Sequence, residues 1–566
     1  MQAPRFPALF ALLITLTVWK PSAAQDQTVG LFVNDDRAYQ GYTLLAPHQH
    51  ASTYLIDLEG QMVNKWEHES IIGSNTLLLE NGNLLRASRA PNGWSRGGGR
   101  GGRIQELTWD GDVVWLFDHF SDTYTLHHDI KKMPNGNVLA TIWEVKTVDD
   151  LLEVGYDTTA LVDDVFWSEV IVELRPILPD SAQIVWEWKA WDHLIQDFDD
   201  TKEHYGTVSD YPERIDINTG DGESWLHFNA IDFNADLDLI IISASVFSEL
   251  WVIDHSTTTE EARGSLGGQM GFGGDLLYRW GNPEKYKKGG PEDRRLFFNH
   301  STQWIPADRP GGGNVTIFDN GRDRTDQQYS TVYELALPLI QDYDGDYFFS
   351  MGTDGTYEDP EVVWQYSDSD VFYSNFISGQ QRQPNGNTLI VEGMRGRIFE
   401  VTPEKDIVWE YISPIVRAGP LAQGEAIPPF SPGNERQQNT LFRGYRYGVD
   451  YPGLAGKDLS PNGKIELERT ASETISDVPV EFVLGNAYPN PFNPATTLTF
   501  SVPRPGHIRL TVYNALGQLV STPAEGQYAP GTHAVRFNAR LLPSGVYFYR
   551  LEADGFLAAR NMLLVK

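Results

Sequence analysis

The sequence contains no cysteine. That excludes disulfides, cysteine-based zinc sites, iron–sulfur clusters and thiol catalysis. A chain without disulfides must rely on core packing, which 566 residues are enough to supply. Basic residues are also few: 44 Lys and Arg stand against 77 Asp and Glu, a net charge of −33. This balance argues against nucleic acid as a partner, because phosphate binding needs a basic face. The acidic excess keeps the surface hydrated. Beyond the N-terminal segment no long apolar run occurs, so no membrane span is expected in the mature chain. Helical periodicity is scarce, whereas 52 Gly and 33 Pro mark many turns. An all-β chain of repeated short strands fits this composition.

Residues 1–24 read as a signal peptide. Arg5 is the positive start, Phe6 to Trp19 the apolar stretch, and Ser22-Ala23-Ala24 the small residues before a cut at Gln25.

The body of the chain repeats a hairpin that ends in tryptophan. It ends at Trp66, Trp115, Trp186, Trp280, Trp364 and Trp409, each after an alternating apolar run. A second hairpin follows, built on Asn-Gly turns or their equivalents, as in IKKMPNGNVLATIW and QRQPNGNTLIVEG. Four strands per unit, repeated six times, make a six-bladed β-propeller over residues 25–455. The sixth unit lacks a clear second half after Trp409, so either the strand around Tyr42 to Pro47 or the segment NTLFRGYRYG is expected to close the ring. The run Arg96 to Arg103 (RGGGRGGR) lacks the Gly-Lys-Ser/Thr ending and helix of a phosphate loop, and reads as a flexible loop. Residues 456–479 form a polar linker. From 480 to 566, about seven short strands with Pro, Gly and Asn turns read as a small β-sandwich.

Counting back from the inner turns brings out one recurring position. Seven residues before Asn135 is His128, and seven before Asn234 is His227. His300 stands six before Pro306, as His128 stands six before Pro134. The same count reaches Ser74 and Ser378 in two other units. In a propeller such positions converge at one mouth of the channel, where histidine serves as nucleophile, proton donor or metal ligand. His48 and His50 are expected at the surface.

Two resemblances add to this reading. NAYPNPFNPATTLTF, VYNALGQLV and LPSGVYFYRL closely resemble the C-terminal sorting domain of the type IX secretion system. That implies a Gram-negative source, engagement of the type IX machinery, and secretion or attachment to the outer cell surface. SWLHFNAIDF, NHSTQWIP, IFDNGRDR and the QRQPNGNTLIVEG stretch resemble the bacterial aryl-sulfate sulfotransferase family. That family is a six-bladed propeller that moves a sulfuryl group between phenols through a transiently sulfated histidine. The resemblance implies no cofactor and no metal. Carried over residue by residue, His227 and His300 match the family's binding histidines; with His128 from the count above they are the catalytic candidates, and Arg324, Arg322, Asn320 and Ser378 are the residues expected to bind substrate. Arg324 is the better match for the sulfate-clamping arginine, with Arg322 second. The chain departs from the family at Ser378, where the sulfated histidine is expected. One of the three histidines takes that role, or Ser378 does, or the activity is gone. The expected function is transfer from an aryl sulfate to a phenolic acceptor. The alternatives are a non-catalytic cell-surface propeller binding a small anion, glycan or protein, and a metal-dependent lyase or hydrolase.

Overall fold

A computed structural model describes residues 27–91, 98–161, 165–220, 225–325, 327–343, 345–431, 434–468, 482–485, 487, 490–540, 542–553 and 555–565. The expected signal peptide lies outside these residues, as do Arg96 and residues 469–479 of the expected linker. The chain divides into two compact units, residues 1–468 and 469–566.

The first unit is nearly all β and propeller-like: six antiparallel sheets of four or five strands, with a few one-turn helical pieces. The second sheet, in chain order, contains Ile72–Leu78, Leu84–Arg89, Gly102–Leu107 and Val113–Asp118. The third contains Tyr124–Lys132, Val138–Lys146, Phe166–Ile177 and Ser181–Lys189. The fourth begins with Phe228–Asn234, the fifth with His300–Trp304 and the sixth with Gly379–Arg382. Each sheet therefore groups an inner-turn hairpin with the tryptophan hairpin that follows it. The sequence reading phased the unit half a repeat differently, placing the tryptophan hairpin first. Hairpin periodicity is the same under either phase, and only pairing between hairpins separates them.

Both candidate closing segments are used. Gly41–Pro47 pairs on one side with Ser52–Ile56 and on the other with Leu441–Gly448, so the first sheet takes strands from both ends of the unit. Gly30–Asn34 adds a fifth strand to the sixth sheet beside Ile407–Ile412.

The first strands of the six sheets touch one another in a closed cycle. Hydrophobic clusters repeat that cycle. Leu44, Leu55 and Leu84 join the first and second sheets, and Leu85, Ile104 and Val138 the second and third. Ile171, Trp188 and Ile240 join the third and fourth, and Ile241, Val252 and Val315 the fourth and fifth. Phe318, Val332 and Ile390 join the fifth and sixth, and Leu389, Trp409 and Tyr54 return to the first. A strand such as Leu239–Ala244 (LIIISA) is buried throughout and apolar but for Ser243, because both of its faces are covered.

The repeated tryptophans have a second use. Each indole N–H donates to the outer turn of the next sheet: Trp66 to the Thr108 carbonyl at 3.1 Å, Trp115 to Ser181 at 2.8 Å, and Trp186 to the Thr257 hydroxyl at 3.1 Å. Trp280 reaches Asp359 at 2.8 Å, Trp364 reaches Pro403 at 2.9 Å, and Trp409 reaches Leu58 of the first sheet at 2.9 Å. A large apolar residue with one donor suits a position that packs against one sheet and hydrogen-bonds the next.

The second unit holds two antiparallel sheets. One orders Val483–Leu484, Ala495–Val502 and Gly531–Asn538; the other orders Leu519–Tyr528, Gly506–Asn514, Gly545–Ala553 and Phe556–Leu564. Alternate residues such as Leu498, Phe500, Leu510, Tyr549 and Leu551 turn into one shared core. Among the described residues of the chain, no helix is long and apolar enough to cross a membrane.

Candidate active site

The candidate residues gather where the inner strands begin. Those strands are irregular at this level. His128 (φ 41°), His227 (φ 56°), Ser301 (φ 52°) and Ile377 (φ 40°) adopt left-handed backbone, and the ladders carry bulges beside the first three. Non-glycine residues in this region are uncommon and concentrate at functional sites. The left-handed residue is the histidine itself in the third and fourth sheets, but the neighbour of His300 and of Ser378 in the fifth and sixth.

His128 and His227 meet edge to face, with ring centroids 4.5 Å apart. Phe298 lies 6.3 Å from His227 and 5.9 Å from His300, bridging the two. All three histidines are buried, and burial holds them neutral: His128 is pushed well below its usual range, His227 to about 3 and His300 to about 4.

His300 belongs to a chain with two other candidates. Its Nδ1 faces Asn320 Oδ1 at 2.6 Å, and Asn320 Nδ2 donates to Ser378 Oγ at 3.0 Å and to the Ser374 carbonyl at 2.6 Å. His300 Nε2 accepts the Ile377 N–H at 3.3 Å. Ser378 therefore stands at this level, hydrogen-bonded to the residue that holds His300. Ser74 is also buried, its hydroxyl without a partner among the described residues.

The two arginines differ. Arg324 is paired with the buried Asp319 carboxylate and lies between the Phe297 and Tyr329 rings at 4.6 and 4.5 Å. Arg322 lies over Phe298 at 4.6 Å, is half exposed, and comes no nearer than 3.9 Å to Asp323. The Phe298 ring it covers is the one that bridges His227 and His300, so Arg322 stands one ring away from both.

Several residues of the site were not singled out from sequence. His127 is one residue off the position that the count from the inner turn reaches, and adjacent strand residues ordinarily point to opposite faces. The left-handed turn at His128 defeats that rule and brings the two Nδ1 atoms to 2.8 Å. His127 Nε2 meets Glu169 at 2.8 Å, and its ring stacks on Trp143 at 4.2 Å. Next to His128, Asp129 pairs with Arg443 at 2.8 Å. Arg443 also donates to the Asn229 carbonyl at 3.1 Å, and Asn75 joins Asp129 at 2.8 Å. The HHD tripeptide was the available signal for the first group; nothing local marks Arg443.

The glycine-rich run lies over this group. The Gly99 carbonyl accepts the His128 N–H at 2.9 Å, and Arg100 bridges to His127. A Cβ at Gly99 would stand 2.1 Å from Cε1 and Nε2 of His128, so only glycine fits against that ring face. A cavity of about 830 Å³ lies elsewhere, lined by Lys131, Asp232, Trp304, Arg443 and Tyr445 among others, and none of the three histidines lines it. His48 is buried against Arg436 at 3.1 Å rather than at the surface, because the segment that carries it is one of the two that close the ring. No group of three or more His, Asp or Glu side chains placed to hold a metal occurs among the described residues.

Neutral imidazoles with a half-exposed guanidinium one ring away form an arrangement suited to a small oxyanion. The chain belongs to the arylsulfotransferase family, whose model matches residues 22–412. Residues 486–565 match the secretion system C-terminal sorting domain, so the protein is exported, to be secreted or held at the cell surface. No curated protein matches the chain. Similar solved structures include a protein of unknown function from Bacteroides caccae, at 11% identity and TM-score 0.36, covering 66% of this chain and 93% of that one. A virginiamycin B lyase from Staphylococcus aureus is 9% identical at TM-score 0.30, covering 68% and 89%. A periplasmic gluconolactonase from Pseudomonas aeruginosa is 9% identical at TM-score 0.32, covering 66% and 96%. Likenesses this distant carry no argument about activity.

Proposed function

We propose that this protein is a secreted sulfotransferase, moving a sulfuryl group from an aryl sulfate to a phenolic acceptor through a histidine of the channel. In this reading residues 25–455 are a six-bladed β-propeller and 480–566 a small β-sandwich, joined by a linker over 456–479. Residues 1–24 are the signal peptide. The observation that carries the reading is the pair of neutral imidazoles, His128 and His227, in ring contact, with Arg322 over the Phe298 ring that lies against His227. A neutral imidazole is a good nucleophile, and a covalent intermediate divides the transfer into two displacements. Arg322 is the guanidinium free to meet the sulfate oxygens, where fixed positive charge lowers the barrier most. Arg324 supports that segment through Asp319. His300, Asn320 and Ser378 form one wall of the site.

A second reading, a propeller that binds a small anion, glycan or protein without turnover, is favoured by Ser378 standing where the family's sulfated histidine is expected. The test is release of nitrophenol from 4-nitrophenyl sulfate with and without phenol. The wild type is compared with His227→Ala, His300→Ala, Arg322→Ala and Arg324→Ala. Release that depends on phenol and is lost in the histidine and Arg322 variants supports transfer. Absence of release across a range of phenols leaves the binding reading.

A further inference from the structure

We propose that Nε2 of His128 is the atom that accepts the sulfuryl group, and that His127 and Glu169 are positioning residues that hold His128 in its reactive tautomer. This assignment rests on the sulfotransferase reading above.

The argument is a count of protons. Glu169 is fully buried and faces three nitrogens: His127 Nε2 at 2.8 Å, Trp143 Nε1 at 2.9 Å and the Phe228 N–H at 2.9 Å. A carboxylate in such a setting only accepts, so His127 carries its proton on Nε2. With that single proton on Nε2, His127 offers a lone pair at Nδ1. His128 Nδ1 lies 2.8 Å away, and two nitrogens at that distance share one proton, which in this arrangement comes from His128. His128 is itself neutral, since burial opposes a second proton. Its remaining nitrogen, Nε2, therefore holds a lone pair, and it has no hydrogen-bond partner among the described residues. The hydrogen bond at one ring nitrogen sets the state of the other.

The other candidates lack this arrangement. His300 donates through Nδ1 to Asn320 Oδ1, and its Nε2 lone pair is taken up by the Ile377 N–H. His227 Nδ1 is buried without a partner among the described residues, so none of them fixes its tautomer. It stands against His128 as a neighbour to the incoming group. Ser378 Oγ is engaged by Asn320 and has no base beside it among the described residues.

In the first displacement the Nε2 lone pair forms an N–S bond while the S–O bond to the aryl oxygen breaks, its electron pair leaving on phenolate. His128 becomes an N-sulfo imidazolium. Its Nδ1 proton is then held between His128 and His127, with the Glu169 charge behind. In the second displacement the acceptor phenol oxygen bonds to sulfur and the N–S pair returns to Nε2. The acceptor's proton ends on the departed phenolate. An aryl sulfate and a phenol give a phenol and an aryl sulfate, and no oxidant or further reactant is needed.

The experiment uses the full chain. Wild type is mixed with 4-nitrophenyl sulfate without acceptor, quenched in alkali and mapped by peptide mass for the gain of one SO₃. Steady-state transfer to phenol is then measured for wild type, His128→Ala, His128→Gln and Glu169→Gln, each checked for fold by circular dichroism. The expected result is SO₃ on His128 and loss of turnover in both His128 variants. Glu169→Gln is expected to lower kcat about 100- to 10,000-fold with KM for the aryl sulfate held, because glutamine must turn an N–H toward one of the present donors. A merely structural Glu169 would lower stability and leave that split unchanged. SO₃ found on His227, His300 or Ser378, or turnover by a folded His128→Gln, overturns the assignment while leaving the sulfotransferase reading in place. A wild type that releases no nitrophenol with any acceptor overturns both.

Discussion

Replacing Asp129 by alanine should destabilise the first unit severely without touching its surface. Asp129 is fully buried beside His128. One oxygen takes the Asn75 amide at 2.8 Å and the Ile130 N–H at 2.9 Å; the other takes the Ile231 N–H at 2.9 Å and Arg443 at 2.8 Å. Alanine removes the counterion and leaves Arg443 charged in the interior. Breaking a buried pair from one side costs about 3–5 kcal/mol. The orphaned Ile231 N–H and Asn75 amide add to this, though not additively, for a total of about 4–6 kcal/mol. That is a large part of the roughly 5–15 kcal/mol that holds a domain together. The assay is urea unfolding followed by tryptophan fluorescence, which reports the first unit alone because every tryptophan precedes residue 410. The control is Asp406→Ala, whose partner Arg37 sits at the surface 2.8 Å away; it should change stability by less than about 1 kcal/mol. Adding Arg443→Met to Asp129→Ala should recover part of the loss, since an apolar replacement needs no counterion. If Asp129→Ala unfolds within about 1 kcal/mol of wild type, the pair is not the keystone this geometry makes it.

Other outcomes follow from the same contacts. Gly99→Ala puts a methyl on the His128 ring at a backbone φ of +65°, so it should lower transfer at least about 100-fold while leaving the tryptophan fluorescence of the fold intact. The acid limb of the rate profile should fall near pH 4 or below rather than near the usual histidine value, because burial keeps His300 neutral down to about 4 and His227 to about 3. His255 behaves in the opposite sense. Burial opposes its charge, but hydrogen bonds to Asp238 and Glu173 outweigh burial and raise it to about 9. A folded value above the unfolded one gives stability that is complete below about pH 6.5 and is lost as pH rises through 9. His255→Gln should flatten the decline in unfolding free energy between those limits, and a decline of unchanged slope would refute the assignment.

Some of this was legible because it depends on short-range pattern. Asn-Gly turns, alternating strands and the six tryptophans are local. They gave the strand content and the sixfold recurrence of the tryptophan hairpin, and the counting of His128, His227 and His300 from inner turns led to residues linked through ring contacts. The phase of the repeat was not legible, since a chain of hairpins reads the same whether a sheet begins at one hairpin or the next. Ring closure by two separate strands was not legible either, because Leu441–Gly448 and Gly41–Pro47 are remote in sequence and meet only when the cycle completes.

What the sequence alone determined is therefore the class of the molecule: an exported all-β chain, without cysteine, ending in a sorting domain and resembling arylsulfotransferases. What only the tertiary structure decided is which groups are poised to act. Arg324 and Arg322 are two residues apart, yet one is bound to the buried Asp319 and the other is half exposed, with Asp323 at 3.9 Å. His127 and His128 are adjacent, yet a left-handed backbone angle turns them to the same side, where Glu169 from the next strand but one decides which nitrogen keeps its lone pair. Composition and spacing report which residues a chain owns; proton positions and free charges depend on partners that only folding brings within hydrogen-bond distance.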